Sequence, residues 1–342
     1  MKRISMRSLL VGIDPGSLYT RVVVADAQQE ISEPSLAAVT TQGEVVAVGT
    51  EAAIRLRAEP RGLVAVRPFA AGVVAQQAAA QLLLQSILDK VQRGAVTRPT
   101  VCLAVPSLAS QVAARAWLQT TRKAGVLETL LVDRGAATAI GTGWDPSRAE
   151  AVVAADCGAG FTLTALSGGG YLANDYLPAG GRALSAALRA YLRETYGVMV
   201  EPATIQTLVR EVAVCVPSVG ETQQECTGRL LADGTLTEFT VTSTELLPLV
   251  REVTNVWLQR FRRLVRGLSA QAQADLLENG VRLTGGSALL KGFDLALAET
   301  IGIPVQVAKE PFGTVARGSM LALNRRAEWP YLLVGGNVGR NE

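Results

Sequence analysis

Apolar and polar positions alternate along this chain with two different periods. Short apolar runs rich in β-branched residues are typical of buried strands, and they occur at residues 8–26 and 100–106. Longer segments carry apolar residues three and four positions apart, which predicts amphipathic helices. The predicted helices lie at about 73–92, 108–124, 244–268 and 313–325. Strands that alternate with helices in this way indicate an α/β fold.

Two stretches about half a chain apart share one pattern. Residues 9–27 (LLVGIDPGSLYTRVVVADA) and 151–169 (AVVAADCGAGFTLTALSGG) each contain an apolar run, an aspartate, small residues and a second apolar run. The matching residues are Asp14, Gly16 and Thr20 in the first stretch and Asp156, Gly158 and Thr162 in the second. Two copies of strand–D-x-G-x-x-x-T–strand predict a fold built from two related halves.

The residue types in these turns point to a polyphosphate ligand. Glycine and serine let backbone N–H groups approach phosphate oxygens, and an aspartate can hold Mg²⁺ through water. A third glycine turn, LTGGSALLKG (283–292), follows a predicted strand and opens a predicted helix, which favours phosphate or nucleotide contact. One such hairpin alone is better explained by ordinary turn geometry. The pair together with the third turn favours a nucleotide site.

Composition narrows the class of protein. With 342 residues, 49% hydrophobic and 18% charged, the chain can form two domains with buried cores. A net charge of +3 gives no reason to expect nucleic acid as a partner. The absence of histidine excludes a His-based triad, and four cysteines without a C-x-x-C pair disfavour a zinc site and fit a reducing cytoplasm. The sequence shows no signal peptide and no apolar run of ~18 residues.

Several segments, taken in order, resemble the MreB-type bacterial actins of the actin, sugar-kinase and heat-shock-chaperone superfamily. The resemblance runs from about residue 9 to about residue 325. The matching segments are GIDPGS (12–17), AVGTEA (47–52), VRPFAAGVVA (66–75), CLAVPS (102–107), DCGAGFT (156–162), GVRLTGGSALLKGFD (280–294) and GIPVQVAKEPFGTVARGS (302–319).

The resemblance implies an actin-like α/β fold of two domains, which are duplicated ribonuclease-H-like halves with small subdomains and a central nucleotide cleft. The expected divisions are a basic N-terminal segment (1–8), domain I (9–145, small subdomain about 33–75), domain II (146–325, small subdomain about 183–250) and a C-terminal tail (326–342).

The same resemblance implies that ATP and Mg²⁺ bind in this cleft. Asp14 and Asp156 are expected to share the Mg²⁺ ion through water. The nucleotide-binding residues implied by the matching motifs are Asp14, Gly16, Ser17, Leu18, Tyr19, Thr20, Asp156, Gly158, Ala159, Gly160, Thr162, Gln206, Val209, Arg210, Gly285, Gly286, Ser287 and Ala288.

This chain departs from the family pattern where hydrolysis would occur. Arg134 stands where relatives carry a glutamate that polarises the attacking water, and neighbouring Asp133 is the candidate substitute. A guanidinium stays protonated and only donates, so it cannot accept a proton from water. Phe161 replaces a usual hydroxyl and, with Ala159, is expected to narrow the second loop. We therefore expect ATP binding with a weak ATPase activity at most.

The resemblance further implies a filament-forming cytoskeletal protein that acts in cell shape or intracellular organisation. The expected partners are copies of the same chain, in paired protofilaments, and the inner face of the membrane from the cytoplasmic side. The N-terminal MKRISMRSLL combines basic and apolar residues that suit an anionic interface. Two alternatives remain open, a non-polymerising actin-fold scaffold and a small-molecule kinase, although this chain leaves little room for a kinase's insertions.

Overall fold

The computed structural model describes residues 9–25, 29–59, 61–92, 98–106, 110–217 and 220–335. The chain divides into two compact units, with unit 1 formed by Met1–Arg148 and Phe312–Glu342 and unit 2 by Ala149–Pro311. The basic segment 1–8 predicted at the N-terminus lies outside the described residues.

Unit 1 begins with strands and helices in alternation. Its strands are β1 (Leu10–Pro15), β2 (Tyr19–Val24), β3 (Gln29–Pro34), β4 (Ala37–Thr40), β5 (Val45–Val48), β6 (Leu63–Val66), β7 (Phe69–Ala70), β8 (Val73–Val74), β9 (Thr100–Val105) and β10 (Glu128–Asp133). Its first helices are α1 (Gly49–Ala58), α2 (Gln77–Val91), α3 (Gln111–Lys123) and α4 (Arg134–Gly141).

Unit 2 is continuous in sequence, and the chain then returns to unit 1. The strands of unit 2 are β11 (Val152–Cys157), β12 (Phe161–Ser167), β13 (Gly170–Leu177), β14 (Val198–Met199), β15 (Gln223–Leu230), β16 (Leu236–Thr242), β17 (Val281–Thr284) and β18 (Val305–Val307). Its helices are α5 (Gly181–Tyr196), α6 (Pro202–Glu211), α7 (Ser243–Arg266), α8 (Ala270–Asn279) and α9 (Phe293–Ile301). The returning elements of unit 1 are α10 (Thr314–Asn324) and β19 (Leu333–Val334).

The main sheets of the two units share one pattern of strand pairing. The order is β19-β10-β9-β1-β2-β3 in unit 1 and β13-β12-β11-β17-β18 in unit 2. β1 pairs antiparallel with β2 and parallel with β9, while β11 pairs antiparallel with β12 and parallel with β17. The internal repeat predicted from the sequence therefore corresponds to two halves with the same topology.

Buried aromatic side chains organise the core of each unit. In unit 1, Trp117 of α3 is fully buried and donates its indole N–H to the carbonyl of Gly72, 3.0 Å away. In unit 2, Trp257 of α7 donates in the same way to the carbonyl of Ala179 at 2.8 Å. Each indole thus buries a large apolar surface without leaving its N–H group unpaired.

α7 shows how the sequence specifies a long helix. Thr242 precedes the helix, and its side chain accepts a hydrogen bond from the N–H of Glu245, as a helix N-cap does. Apolar residues then recur at helical spacing, and this face is buried in the unit 2 core. The helix spans Ser243–Arg266, close to the predicted 244–268.

Each unit also carries a small sheet in the region expected for a small subdomain. In unit 1 the sheet β5-β4-β6 packs with α1 around Ala38, Ala47 and Ala52. In unit 2 the sheet has the order β14-β15-β16. These sheets fall within the predicted ranges 33–75 and 183–250.

The C-terminal part of the chain differs from the predicted division. We assigned residues 312–325 to the second domain and 326–342 to a tail, but α10 and β19 both belong to unit 1. β19 pairs with β10, and the nearby Trp329 and Leu332 are buried. The tail prediction was wrong for residues up to 335, because this short apolar segment completes the edge of the unit 1 sheet.

α10 packs closely against β1 and α4 because glycines at the contacts leave room for the neighbouring backbone. A Cβ atom built on Gly12 of β1 would lie 2.2 Å from the carbonyl oxygen of Ala316. A Cβ atom on Gly318 of α10 would lie 1.8 Å from the carbonyl oxygen of Ala137 in α4. Both distances are far below van der Waals contact, so a side chain at Gly12 would push α10 away from β1, and one at Gly318 would push it away from α4.

Candidate functional site

The first predicted turn joins β1 to β2 in unit 1. The N–H of Gly16 donates to the carbonyl of Asp14 at 3.0 Å, which closes a tight turn at the end of β1. A Cβ atom on Gly16 would lie 2.5 Å from the carbonyl oxygen of Tyr19, so only glycine fits. Leu18 and Tyr19 are exposed, and Ser17 accepts a hydrogen bond from the N–H of Ala71 at 3.2 Å.

Ser35 supports this turn, although it is not among the site residues predicted from the sequence. Its hydroxyl donates to the carbonyl of Gly16 at 2.6 Å and lies 2.9 Å from the hydroxyl of Thr20. Its N–H donates to the carbonyl of Leu18 at 2.9 Å. Thr20 is fully buried, so its hydroxyl supports the turn from inside. A serine directly after β3 carries no sequence signal for this role, because the contact depends on how β2 and β3 pair.

Asp14 and Arg134 form a buried ion pair within unit 1. Nη2 of Arg134 lies 2.6 Å from Oδ1 of Asp14, with side chains only 10% and 6% exposed, respectively. Arg134 is the first residue of α4, which follows β10, and β10 pairs with β9 next to β1. The topology therefore brings the ends of β1 and β10 to one edge of the sheet. Both are residues predicted from the sequence, but their mutual contact is not apparent from it.

Asp133 is the N-cap residue of α4. Its Oδ1 accepts a hydrogen bond from the N–H of Ala136 at 3.1 Å, the geometry of an N-cap. Its Oδ2 is buried and has no hydrogen-bond partner. One carboxylate oxygen of Asp133 therefore caps the helix, and the other is unpaired. Its predicted role as a substitute for the missing glutamate stays a prediction.

The second predicted turn joins β11 to β12 in unit 2 and contacts the first residues of α5. The carbonyl of Gly158 accepts from the N–H of Gly181 at 3.0 Å, and its own N–H donates to the carbonyl of Gly160 at 3.1 Å. The N–H of Arg182 donates to the carbonyl of Ala159 at 3.3 Å. These first N–H groups of α5 therefore hold the loop in place.

The third glycine turn contacts the second one. Ser287 donates its hydroxyl to the carbonyl of Gly158 at 3.2 Å. Gly285 has φ +84°, and a Cβ atom there would lie 2.7 Å from Oδ1 of Asp156. Unit 2 thus brings together the predicted residues Asp156, Gly158, Ala159, Gly160, Gly285, Gly286, Ser287 and Ala288. The predicted helix through Leu290 is instead a 3₁₀ turn, Gly286–Leu289, because Leu290 is extended and Gly292 is left-handed.

Phe161 does not narrow the second loop, contrary to our expectation from the sequence. Its side chain is fully buried, and its ring centroid lies 4.7 Å from that of Trp257 and 6.3 Å from that of Phe293. Thr162, the next residue of β12, is buried as well. Successive strand residues alternate between the two faces of a sheet, so Phe161 packs into the core.

The residues predicted to contact ribose and base lie on α6. Gln206 and Arg210 are exposed, Val209 is half-buried, and Arg210 forms an exposed pair with Glu211. The end of α6 is tied to the segment after the third turn, because Lys291 donates to the carbonyl of Glu211 at 2.6 Å. α6 and the third turn are thus neighbours within unit 2.

The cysteine thiols near these turns are buried and protonated. All four cysteines are buried. Burial, followed by the nearby charge of Asp156, holds the pKa of the Cys157 thiol well above its usual value. Burial raises the pKa of Cys215 to about 12, so neither thiol ionises near neutral pH.

The Asp14 carboxylate does not fit the predicted Mg²⁺ ion. A guanidinium contacts its Oδ1, and the side chain is almost completely buried, which leaves little space there for a hydrated cation. Within the described part of the chain, no group of three or more Asp, Glu or Cys side chains is arranged to hold a metal ion.

The two halves with matching sheets, each with an aspartate at the end of its central strand and a small-residue turn after it, define an actin-like protein. The chain belongs to the MreB/Mbl family, because the family model described as MreB/Mbl protein matches residues 8–329. The cell shape-determining protein MreB of Escherichia coli K12 is 32% identical over 321 residues, which cover 92% of each chain.

Solved structures share the fold of this chain. MreB5 of Spiroplasma citri bound to ADP superimposes with a TM-score of 0.87 at 20% identity, over 94% of this chain and 99% of that one, and its AMPPNP-bound form gives 0.86. The MamK double helical filament gives 0.76 at 17% identity, over 93% and 99% of the two chains. The predicted actin-like α/β fold with duplicated halves is confirmed, and the chain is an MreB-type cytoskeletal actin homologue.

None of the helices in the described residues is both long and apolar enough to cross a membrane.

Proposed function

We propose that this chain binds ATP, polymerises into filaments and acts in cell shape or intracellular organisation at the inner face of the membrane. The observation that carries the proposal is the repeated turn after the central strand of each unit, at Asp14 and at Asp156. The supported turns leave small residues after each aspartate, which suits the approach of phosphate oxygens. Family membership supplies the cytoskeletal role.

ATP is the proposed nucleotide because the solved MreB5 structures hold ADP and AMPPNP. The proposed contacts are those predicted from the sequence, with α6 and the third turn receiving the ribose and base. A shared Mg²⁺ ion is not favoured, because one of its two predicted carboxylates is already paired with Arg134. Calorimetric titration of the full chain with ATP tests the proposal, and an absence of binding with and without Mg²⁺ would contradict it.

We further propose that the chain hydrolyses ATP slowly or not at all. Hydrolysis needs a group that orients a water in line with the γ-phosphorus, and the Arg134 guanidinium only donates and is held by Asp14. Loss of one positioned base typically lowers a rate by ~10²–10⁴. Phosphate release by the parent and by Arg134→Glu, compared at equal ATP occupancy, tests this. Rapid release by the parent that the substitution leaves unchanged would contradict it.

Assembly is proposed from the family and from the MamK double helical filament. Sedimentation and electron microscopy of the purified chain, with and without ATP, test it directly. A chain that stays monomeric at high concentration with ATP and lipid would instead support the non-polymerising scaffold. Transfer of phosphate to a small molecule would support the kinase alternative.

Contact with the membrane is proposed for the basic N-terminal segment 1–8. A short basic and apolar segment binds an anionic bilayer weakly, and many copies along a filament would add their affinities. Co-sedimentation with anionic vesicles, compared between the parent and a chain without residues 1–8, tests this proposal. Equal co-sedimentation of both would contradict it.

A further inference from the structure

The ion pair of Asp14 and Arg134 stands where the family pattern predicts a carboxylate and a metal ion. Nη2 of Arg134 lies 2.6 Å from Oδ1 of Asp14, a short charge-assisted hydrogen bond. Both side chains belong to unit 1, and both are among its buried charged residues. The cation that neutralises Asp14 is therefore part of the chain itself.

Two electrostatic consequences follow from this arrangement. A carboxylate beside bound polyphosphate repels it unless a cation compensates, and the guanidinium provides that compensation permanently. A divalent cation that approached Asp14 would meet the positive charge of Arg134 in a site with little water to screen it. The pair thus removes the need for a metal ion at this turn and opposes its binding.

We propose that Arg134 takes the place of the divalent cation at Asp14, so that this chain binds its nucleotide without Mg²⁺. The inference deepens the proposed function and rests on the proposal that the chain binds ATP. It assigns to Arg134 a positioning role at the first turn, separate from its effect on hydrolysis.

The test is the dissociation constant of a ribose-labelled fluorescent ATP analogue, measured on the full chain in EDTA and in excess Mg²⁺. We expect the two dissociation constants to agree within about threefold. A tenfold difference would correspond to ~1.4 kcal/mol of binding free energy. Tight binding in Mg²⁺ that is lost in EDTA would overturn the inference and leave the proposed function intact. An absence of binding in both conditions would overturn both.

Variants at one position separate charge from packing. Arg134→Gln removes the charge, and we expect affinity in EDTA to fall about tenfold or more and to be partly restored by Mg²⁺. Arg134→Lys keeps the charge and should keep binding in EDTA. Arg326→Gln is the matched control, because it removes the same charge from an exposed pair with Glu128 at the other end of β10. An Arg134→Gln variant that binds like the parent in EDTA would overturn the inference.

Removing Arg134 alone leaves a buried carboxylate unpaired, which can prevent folding. The double variant Asp14→Asn with Arg134→Gln removes both charges and relieves this problem. We expect it to fold, by circular dichroism, and to show no difference between EDTA and Mg²⁺. A Mg²⁺ requirement in this double variant would place the metal elsewhere at the turn and overturn the assignment to Asp14.

Discussion

The ring of Phe161 lies 4.7 Å from the ring of Trp257, and both side chains are fully buried in unit 2. Phe161 begins β12 directly after the second turn, so its packing fixes one end of that loop. The core contact explains why a phenylalanine is compatible with a neighbouring loop of small residues, because the ring has a packed place against Trp257.

We predict that Phe161→Thr destabilises the protein by about 3–5 kcal/mol, as truncation of a buried phenylalanine does. The cavity would lie between β12, Trp257 and Phe293, and the new hydroxyl would be buried there. Denaturant unfolding measures the change. Leu172→Thr on β13 is the matched control, because Leu172 is exposed and its substitution should change the free energy of unfolding by less than about 0.5 kcal/mol. Equal effects of the two substitutions would contradict the buried placement of Phe161.

A second prediction concerns Glu33 of β3, whose buried carboxylate contacts the start of α1. Its Oε2 accepts from the N–H and the hydroxyl of Thr50, both at 2.9 Å, and its Oε1 pairs with Lys90. Burial raises the pKa of Glu33, but the hydrogen bonds from Lys90 and Thr50 and the charge of Lys90 outweigh it, so the pKa is lowered overall. A lowered pKa in the folded state means that Glu33 stabilises the fold above the pKa of the unfolded chain, and that this contribution is lost as the pH falls through the folded pKa.

Glu33→Gln should therefore lower the free energy of unfolding at neutral pH by about 1.5–3 kcal/mol, the range for hydrogen bonds to charged groups. Below a pH of about 4.5 the parent should lose stability more steeply than the variant. Urea unfolding across pH measures both. Glu51→Gln serves as the control, because Glu51 pairs with Arg55 on the surface of α1 and should change stability by less than about 0.5 kcal/mol. A parallel pH dependence of the parent and Glu33→Gln would show that Glu33 is not the titrating group.

The support of the first turn by Ser35 gives a third prediction. Ser35→Ala would leave the Gly16 carbonyl and the Thr20 hydroxyl without their partner, which should cost about 1–3 kcal/mol. Because the turn carries proposed phosphate contacts, nucleotide affinity should fall with stability. Ser32→Ala on β3 is the control, since Ser32 is exposed. Unchanged affinity in a folded Ser35→Ala protein would show that the turn does not need this support.

Gly285 gives a fourth prediction, because both its backbone conformation and its close neighbours oppose a side chain. Gly302 has φ +70° and ψ 24°, in the left-handed helical region, where alanine costs about 1–2 kcal/mol. Gly285 has φ +84° and ψ 166°, a region that essentially only glycine adopts, so alanine is strained more there. A Cβ atom on Gly285 would also lie 2.6 Å from the carbonyl oxygen of Cys157, whereas one on Gly302 would meet nothing within 4 Å. Thermal unfolding should therefore show a larger loss for Gly285→Ala than for Gly302→Ala. Equal losses would mean that the third turn tolerates a side chain.

The sequence predicted the parts of the fold and site that depend on local patterns. β1 and β11 each carry an aspartate one residue before their end, with small residues after the strand, and the structure places both strands inside matching sheets. The contact between Asp14 and Arg134 spans 120 positions, so no local pattern reports it. The support by Ser35 was missed for the same reason. The prediction that Phe161 narrows the second loop was wrong. The resemblance showed that relatives carry a hydroxyl at this position, but not on which face of the sheet the side chain lies.

The position of α10 has a consequence for how the protein is made. Gly12 and Gly318 let α10 lie directly on β1 and α4, but α10 follows the whole of unit 2 in sequence. A ribosome releases the chain from its N-terminus, and domains generally fold as units during synthesis. Unit 2 therefore has its full sequence available before unit 1 does. The half of the protein that is translated first is therefore the half that finishes folding last, and until then the face of β1 and α4 that α10 covers stays uncovered.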